Sequence, residues 1–365
     1  MIWNNPEYYP LYYFIIIGFS FLLVFLVIPS IIHVAKQHLL FDNSDLHRKN
    51  HDYGIPRLGG IAVFCSLMIT SLLFSDFSSV QTNNYIITAY ILLFAVGLKD
   101  DLWGVNPSTK FFIQLLVALI IVLLADIRLT SFHGVFNIYE IPYSVSIILS
   151  VLVIIFITNA FNLIDGIDGL LGITSITVSL TFAGLFLYMN QHHLACMAFT
   201  MFGASVGFLK FNLSPAKIFM GDAGSMLMGL IAAILSIEFI ELNSIAIADQ
   251  LNFISAPAIA MAILIGPLFD TVRVFLLRIM RKSSPFIADN NHIHHRFLRL
   301  GFSHIQTTFI LMCFNISMIL LVLFYKDLGD NFIIALLISV CITFNVVLTI
   351  FIQLMERRAI QVPNV

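Results

Sequence analysis

Groups able to hold a cation or a phosphate gather in four short stretches of this chain. "NAFNLIDGIDGL" (159–170) brings together the amides Asn159 and Asn162, the carboxylates Asp165 and Asp168, and the glycines Gly166 and Gly169. "GLKDDLWGVNPSTKFF" (97–112) carries Asp100, Asp101 and Lys110, and "KFNLSPAKIFMGDAGS" (210–225) carries Asn212, Lys217, Phe219, Asp222 and Ser225. "RKSSPFIADNNHIHHRF" (281–297) adds Asp289, His292, His294, His295 and Arg296.

Each stretch also has an ordinary alternative. Asp100 and Asp101 read as solvated loop charges, as a helix cap, or as a pair whose mutual repulsion a nearby cation relieves. Asn162, Asp165 and Asp168 follow at intervals of three, which places them on one helical face; capping of a helix end is the plain alternative. Gly166 and Gly169 permit a tight turn or the close approach of a ligand. In "FMGDAGS" a carboxylate stands between glycines, ahead of a serine suited to N-cap the next helix. A terminus of that kind also suits phosphate, through free N–H groups and the helix dipole. "HIHHRF" reads first as a basic phosphate clamp and otherwise as a solvated stretch facing headgroups. Imidazole prefers softer metals, whereas carboxylate and amide oxygens suit hard cations such as Mg²⁺. Mg²⁺ takes few protein ligands and fills its shell with water and substrate phosphate. Together the four stretches point to a pyrophosphate-bearing substrate arriving from the cytosol.

The elements that carry these groups are apolar. The 365 residues are 59% hydrophobic and 10% charged, against about 25% charged in a soluble domain. The mean hydropathy of +0.98 marks an integral membrane protein. A helix needs about 20 apolar residues to cross the hydrocarbon. On that basis the chain is an all-α, polytopic protein of eleven predicted spans. They run over Leu11–Val34, Ile61–Phe74, Tyr85–Leu98, Phe111–Ala125, Ser144–Thr158, Leu171–Tyr188, Leu194–Leu209, Met226–Ile240, Ile254–Phe275, Thr307–Phe324 and Phe332–Leu354. One transmembrane domain is expected over 1–365, with working loops near 35–60, 99–110, 159–170, 210–225 and 276–306. "MIWNNPEYYP" lacks the basic region and cleavage site of a signal peptide.

Charge sets the expected orientation. Alternating the loops between two sides puts 16 of the 18 Lys and Arg on one side and Arg128 and Lys326 on the other. The positive-inside rule makes the rich side cytoplasmic, with the N-terminus outside and the C-terminus inside. All four polar stretches then lie on the cytoplasmic face. The four cysteines fall within spans and lack CxxC spacing, so neither a disulfide nor a zinc site is expected.

With these residues in place, the chain resembles the polyprenyl-phosphate N-acetylhexosamine-1-phosphate transferases of glycosyltransferase family 4. The likeness runs from about Leu40 to Arg299 and rests on four motifs in order: "DDLWGVNPSTKF", "NAFNLIDGIDGL", "NLSPAKIFMGDAGS" and "SPFIADNNHIHHRFL". The resemblance implies a multi-pass protein of the cell (inner) membrane with a cytoplasmic active site. It implies transfer of GlcNAc-1-phosphate, or another N-acetylhexosamine-1-phosphate, from a UDP-sugar to undecaprenyl phosphate with release of UMP. Mg²⁺ is the implied cofactor, with Mn²⁺ as a substitute; membrane lipids and a second copy in a homodimer are the expected partners, and nucleic acid is not. By motif position, Asn162 and Asp222 look like the metal ligands. Asp100, Asp101, Lys110 and Asp165 take the catalytic positions, the aspartate pair being expected to place the nucleophile or the cation. Asp168, Asn212 and Phe219 match nucleotide-pocket positions, and His292, His294, His295 and Arg296 a sugar and diphosphate loop. "HIHHR" looks like the GlcNAc-1-phosphate branch, whereas the muramoyl-pentapeptide branch resembles HHH followed by an acidic residue. "HRKNHDYGIPRLGG" matches more loosely and leaves Arg48, His51 and Arg57 without assigned roles. A cation-coupled transporter is the rival class; it would place ionisable groups near mid-membrane at broken helices, whereas here the carboxylates cluster on one face and only Glu238 and Asp270 lie inside or near the end of a span, Asp270 close to its cytoplasmic end. An intramembrane aspartyl protease, weakly similar through "MGD", has no use for the other motifs.

Overall fold

The computed structural model describes residues 8–40, 54–74, 80–245, 253, 255–282 and 291–361. Arg48, His51 and Asp289 lie outside the described residues, as do parts of the loops near 35–60 and 276–306. Long uncharged runs leave the backbone no partner but itself in lipid, so they fold as helices. Among the described residues the only β pairing is one isolated bridge, Ser131 to Glu140.

The helices are α1 (Tyr9–Gln37), α2 (Gly59–Phe74), α3 (Val80–Trp103), α4 (Pro107–Leu119), α5 (Tyr143–Leu163), α6 (Leu170–Tyr188) and α7 (His192–Asn212). They continue with α8 (Gly221–Ile245), α9 (Ala256–Ile263), α10 (Ile265–Met280), α11 (Ile293–Arg299), α12 (His304–Phe324) and α13 (Asp330–Gln361). A π-helical turn over Ile120–Leu124 extends α4. Eight helices among the described residues are long and apolar enough to cross a membrane, and α9 with α10 makes a ninth segment bent by 79°. The short α2 and the more polar α3 account for the two remaining predicted spans. The protein is therefore all-α and polytopic.

The most enclosed rod is α8, whose apolar stretch is 89% buried against 22% for α1 and α13. Glycines bring its start unusually close to α2 and α3. A Cβ on Gly60 would fall 2.3 Å from the Gly224 nitrogen, and one on Gly97 2.5 Å from the Ala223 Cα. Small residues permit such approach between membrane helices. Here they hold the last turn of α3, with Asp100 and Asp101, against the first turn of α8.

The bend between α9 and α10 is bridged from α12. Asn315 donates from Nδ2 to the Ile263 carbonyl (3.1 Å) and accepts at Oδ1 from the Gly266 N–H (3.3 Å). A break in a helix frees backbone groups that must find partners, and one amide serves both sides of this one.

Candidate active site

The site forms where the end of α3, the start of α4, the end of α5 and the start of α8 meet. Gly221 opens α8 with φ +73°. Asp101 then reaches across from α3 to cap the helix: Oδ1 accepts from the Asp222 N–H (2.7 Å) and Oδ2 from the Ala223 N–H (3.0 Å). A carboxylate there satisfies orphan donors and meets the positive end of the helix dipole. The expected cap, Ser225, instead lies one turn inside α8 and accepts from Asn162 Nδ2 (2.9 Å). A cap supplied by a distant helix leaves no local trace in sequence. Burial pushes the Asp101 carboxyl up to about 7, against the pull of its Ala223 N–H bond.

Asp222 is the hub. Its Oδ1 accepts from Asn162 Nδ2 (2.8 Å) and its Oδ2 from Lys110 Nζ. Lys110 also donates to Asp100 Oδ2 (3.0 Å), whose other oxygen takes the Val105 N–H (2.7 Å) and so fixes the turn into α4. Asp100, Asp101, Lys110, Asn162 and Asp222 thus form one bonded cluster, although they come from four helices.

The shared face expected for Asn162, Asp165 and Asp168 does not form. The helix α5 ends at Leu163, and residues 164–169 turn, with Gly169 at φ +80°. Asp165 Oδ2 accepts from the Gly221 N–H (3.2 Å), while burial raises its carboxyl to about 8. Asp168 faces the other way, accepting from the Ala216 N–H (3.2 Å) beside His304 Nδ1 (3.2 Å).

Lys110, Asn162, Asp100 and Asp165 line a cavity of about 610 Å³, together with His292, His294 and His295. An apolar stretch of its wall is formed by Phe111 from α4, Leu152, Ile155 and Phe156 from α5, and Phe275 from α10, while Gln114, Asn159, Thr271 and Arg278 add further polar groups. An adjoining polar cavity of about 500 Å³ is lined by Arg57, Asp100, Asp101, Trp103 and Asp222. His294 points Nε2 at Gly166, where a Cβ would lie 2.5 Å from that nitrogen. That nitrogen is buried with no hydrogen-bond partner among the described residues, and burial pushes the imidazole down to about 3.

Three expected contacts lie elsewhere. Arg296 turns away from the cavity and donates to Asn345 Oδ1 (2.5 Å) and Thr349 Oγ1 (2.6 Å), tying α11 to α13. Helical geometry explains this: on α11, a residue one position after His295 faces about 100° around. Asn212 is 1% exposed and spends both ends on the chain, accepting from the Gly169 N–H and donating to the Ile218 carbonyl (both 2.9 Å). Phe219 pairs its backbone with Pro56 and Gly59, and neither it nor Asn212 lines the large cavity. Arg296→Lys is accordingly expected to lower Tm by several degrees while changing KM for the substrate less than about twofold; thermal melts and steady-state kinetics check it. A larger rise in KM with an unchanged Tm would return Arg296 to the cavity.

Sequence reasoning missed Asp270 and Arg273 of α10, which hold the start of α11 from behind. Their signal was an acid and a base three residues apart in an apolar run, where an ionisable group is costly and marks function.

A carboxylate and an amide oxygen are the donor types that hard divalent cations take, although here Asn162 presents Nδ2 to one Asp222 oxygen and Lys110 occupies the other. Asp222 offers a carboxylate and Asn162 an amide oxygen to which no described residue donates. No group of three or more His, Cys, Asp or Glu among the described residues forms a complete cage.

The polar cluster and the cavity beside it are set among helices long and apolar enough to cross a membrane. Residues 83–240 match glycosyl transferase family 4. The chain is 32% identical over 308 residues, 83% of each chain, to the probable undecaprenyl-phosphate N-acetylglucosaminyl 1-phosphate transferase of Bacillus subtilis. It is 32% identical to the undecaprenyl-phosphate alpha-N-acetylglucosaminyl 1-phosphate transferase of Salmonella typhi, covering 71% of this chain and 69% of that one. It is 30% identical to the decaprenyl-phosphate N-acetylglucosaminephosphotransferase of Mycolicibacterium smegmatis, covering 70% and 68%. The chain belongs to glycosyl transferase family 4, as a multi-pass membrane transferase.

Proposed function

We propose that this protein transfers GlcNAc-1-phosphate from UDP-GlcNAc to undecaprenyl phosphate or a similar polyprenyl phosphate, releasing UMP and initiating a lipid-linked envelope glycan. The site would face the cytoplasm at the inner membrane. The observation that carries this reading is the bonding of Asp222 to both Lys110 and Asn162 at the wall of a cavity that continues into apolar surface. A charged headgroup meets the first part and a prenyl chain the second.

In the reaction a lipid phosphate oxygen bonds to the β-phosphorus of the donor. The bond from that phosphorus to the bridging oxygen breaks, and UMP leaves with the electron pair. One phosphoanhydride replaces another, so positioning and charge neutralisation carry most of the catalysis. Lys110 presents its ammonium to the phosphates. Asp100 orients Lys110, and Asp101 holds Asp222 at the start of α8. No protein base is needed, because a phosphate monoester with a second pKa near 6 is mostly dianionic at pH 7. Asp101 is poorly placed as one, since the N–H groups of Asp222 and Ala223 occupy its two oxygens. Asp222 and Asn162 would hold Mg²⁺, or Mn²⁺ in its place, and the ion would neutralise the diphosphate when bound.

The test is UMP release by purified protein with polyprenyl phosphate, across UDP-GlcNAc, UDP-GalNAc and UDP-MurNAc-pentapeptide, with and without Mg²⁺. Release from UDP-GlcNAc that stops on chelation is expected. Release from the muramoyl-pentapeptide donor alone would move the protein to the other branch, and no release from any donor would end the transferase reading.

A further inference from the structure

Behind the cavity wall lies a buried polar group that the reaction above does not use. Asp270, 4% exposed on α10, accepts from two donors at Oδ1 and meets an imidazole nitrogen at Oδ2. Arg273 Nη2 and the Ile293 N–H both reach Oδ1 at 3.0 Å, and His292 Nδ1 lies 2.9 Å from Oδ2. Arg273 Nη2 also donates to the Asn291 carbonyl, so the same two side chains pin the residues on either side of His292. The Arg273 guanidinium and the Ile293 N–H on Oδ1 hold the carboxyl in its ionised form, which only accepts. The proton on His292 must then sit on Nδ1. Nε2 is left as the free nitrogen of a ring that lines the cavity and lies nearly parallel to His294, centroids 5.5 Å apart at 9°.

We propose that Asp270 is a positioning residue for the transfer: it locks His292 in the Nδ1–H tautomer, so that Nε2 faces the cavity as a hydrogen-bond acceptor. This rests on the transferase reading. At neutral pH the diphosphate carries no hydrogen to give, and a lone pair aimed at it would repel. An acceptor here suits a hydroxyl or the acetamido N–H of the sugar. His292 then recognises the hexosamine, while Lys110 meets the phosphates. The brace resembles in its physics the outer partners that fix the tautomer of metal-bound or catalytic imidazoles.

Asp270→Asn tests it. The asparagine amide would donate to Nδ1 and force the proton onto Nε2, turning the acceptor into a donor. The variant should lose about 10- to 100-fold in kcat/KM for UDP-GlcNAc, with KM for polyprenyl phosphate unchanged. In Asp270→Asn combined with His292→Gln, the first change should add nothing to the loss from the second. Losses that multiply would overturn the proposal, because Asp270 would then act independently of His292. The tautomer is also read directly in the wild-type protein, from NMR of isotope-labelled imidazole nitrogens with His292 assigned by its loss in His292→Gln. A proton on Nδ1 supports the proposal and one on Nε2 overturns it, even if Asp270→Asn fails to fold. That spectrum needs no substrate. A wild-type protein with the expected tautomer and no UMP release would sink the transferase reading and leave the Asp270–His292 brace standing.

Discussion

Asp222→Ala should cut UMP release about 10³-fold, the scale at which losing a preorganised charge in a sheltered site is felt. The carboxylate joins Lys110 to Asn162, and without it the ammonium and the amide keep their places only through Asp100 and Ser225. The fold should survive, because Asp101 caps through the backbone N–H groups of residues 222 and 223, which alanine retains. Tm within a few degrees of wild type would separate lost chemistry from lost structure. Asp222→Asn keeps the shape but removes the charge, and it should be nearly as inactive. An asparagine variant with close to full activity would show that shape alone matters, and the cation and phosphate roles would fall together.

The second large effect is expected from a methyl group. Gly221→Ala puts a side chain at φ +73° with its Cβ 2.3 Å from the Arg57 carbonyl oxygen and 2.6 Å from Asp101 Oδ2. The backbone conformation alone costs roughly 1–2 kcal/mol for a residue with a Cβ. The clash adds more, since a carbonyl cannot swing aside as a flexible side-chain tip can. Either the 54–58 segment or the Asp101 cap must move, and with it the start of α8. Activity should fall about 100-fold, the order of loss that small misplacement near a reacting centre produces, and Tm should fall with it. Gly104→Ala is the control: φ is +75°, but nothing lies within 4 Å of its added Cβ. It should show the conformational cost without the steric one. Equal losses in the two variants would mean that crowding at Gly221 is unimportant.

Helices and the clustering of polar groups at their ends were readable from hydropathy and charge, because lipid punishes any other placement. Each of the eleven predicted spans falls on a helix or on the bent pair α9–α10. What could not be read was which atom meets which. Asp101 and Asp222 stand 121 positions apart, and only glycine contacts between α3 and α8 bring a carboxylate over a helix end. Periodicity failed just beyond Asn162, where Gly166 and Gly169 stop the helix and send Asp165 and Asp168 in different directions. Motif position put Arg296 and Asn212 at the substrate, whereas the structure gives their polar groups to α13 and to the 164–169 turn. Asp270 went unplaced because an acid and a base three residues apart in an apolar run announce cost without naming His292 as the group they hold.

The greasy side of the large cavity carries one more implication. Phe111 and Leu152 on its rim are 47% and 59% exposed, so the recess opens sideways between α4 and α5. At about 610 Å³ the recess has room for only the first units of a long prenyl chain. The protein can grip only the units nearest the phosphate and must let the remainder trail among the acyl chains. Acceptors that share those first units should therefore be used at similar rates whatever their total length.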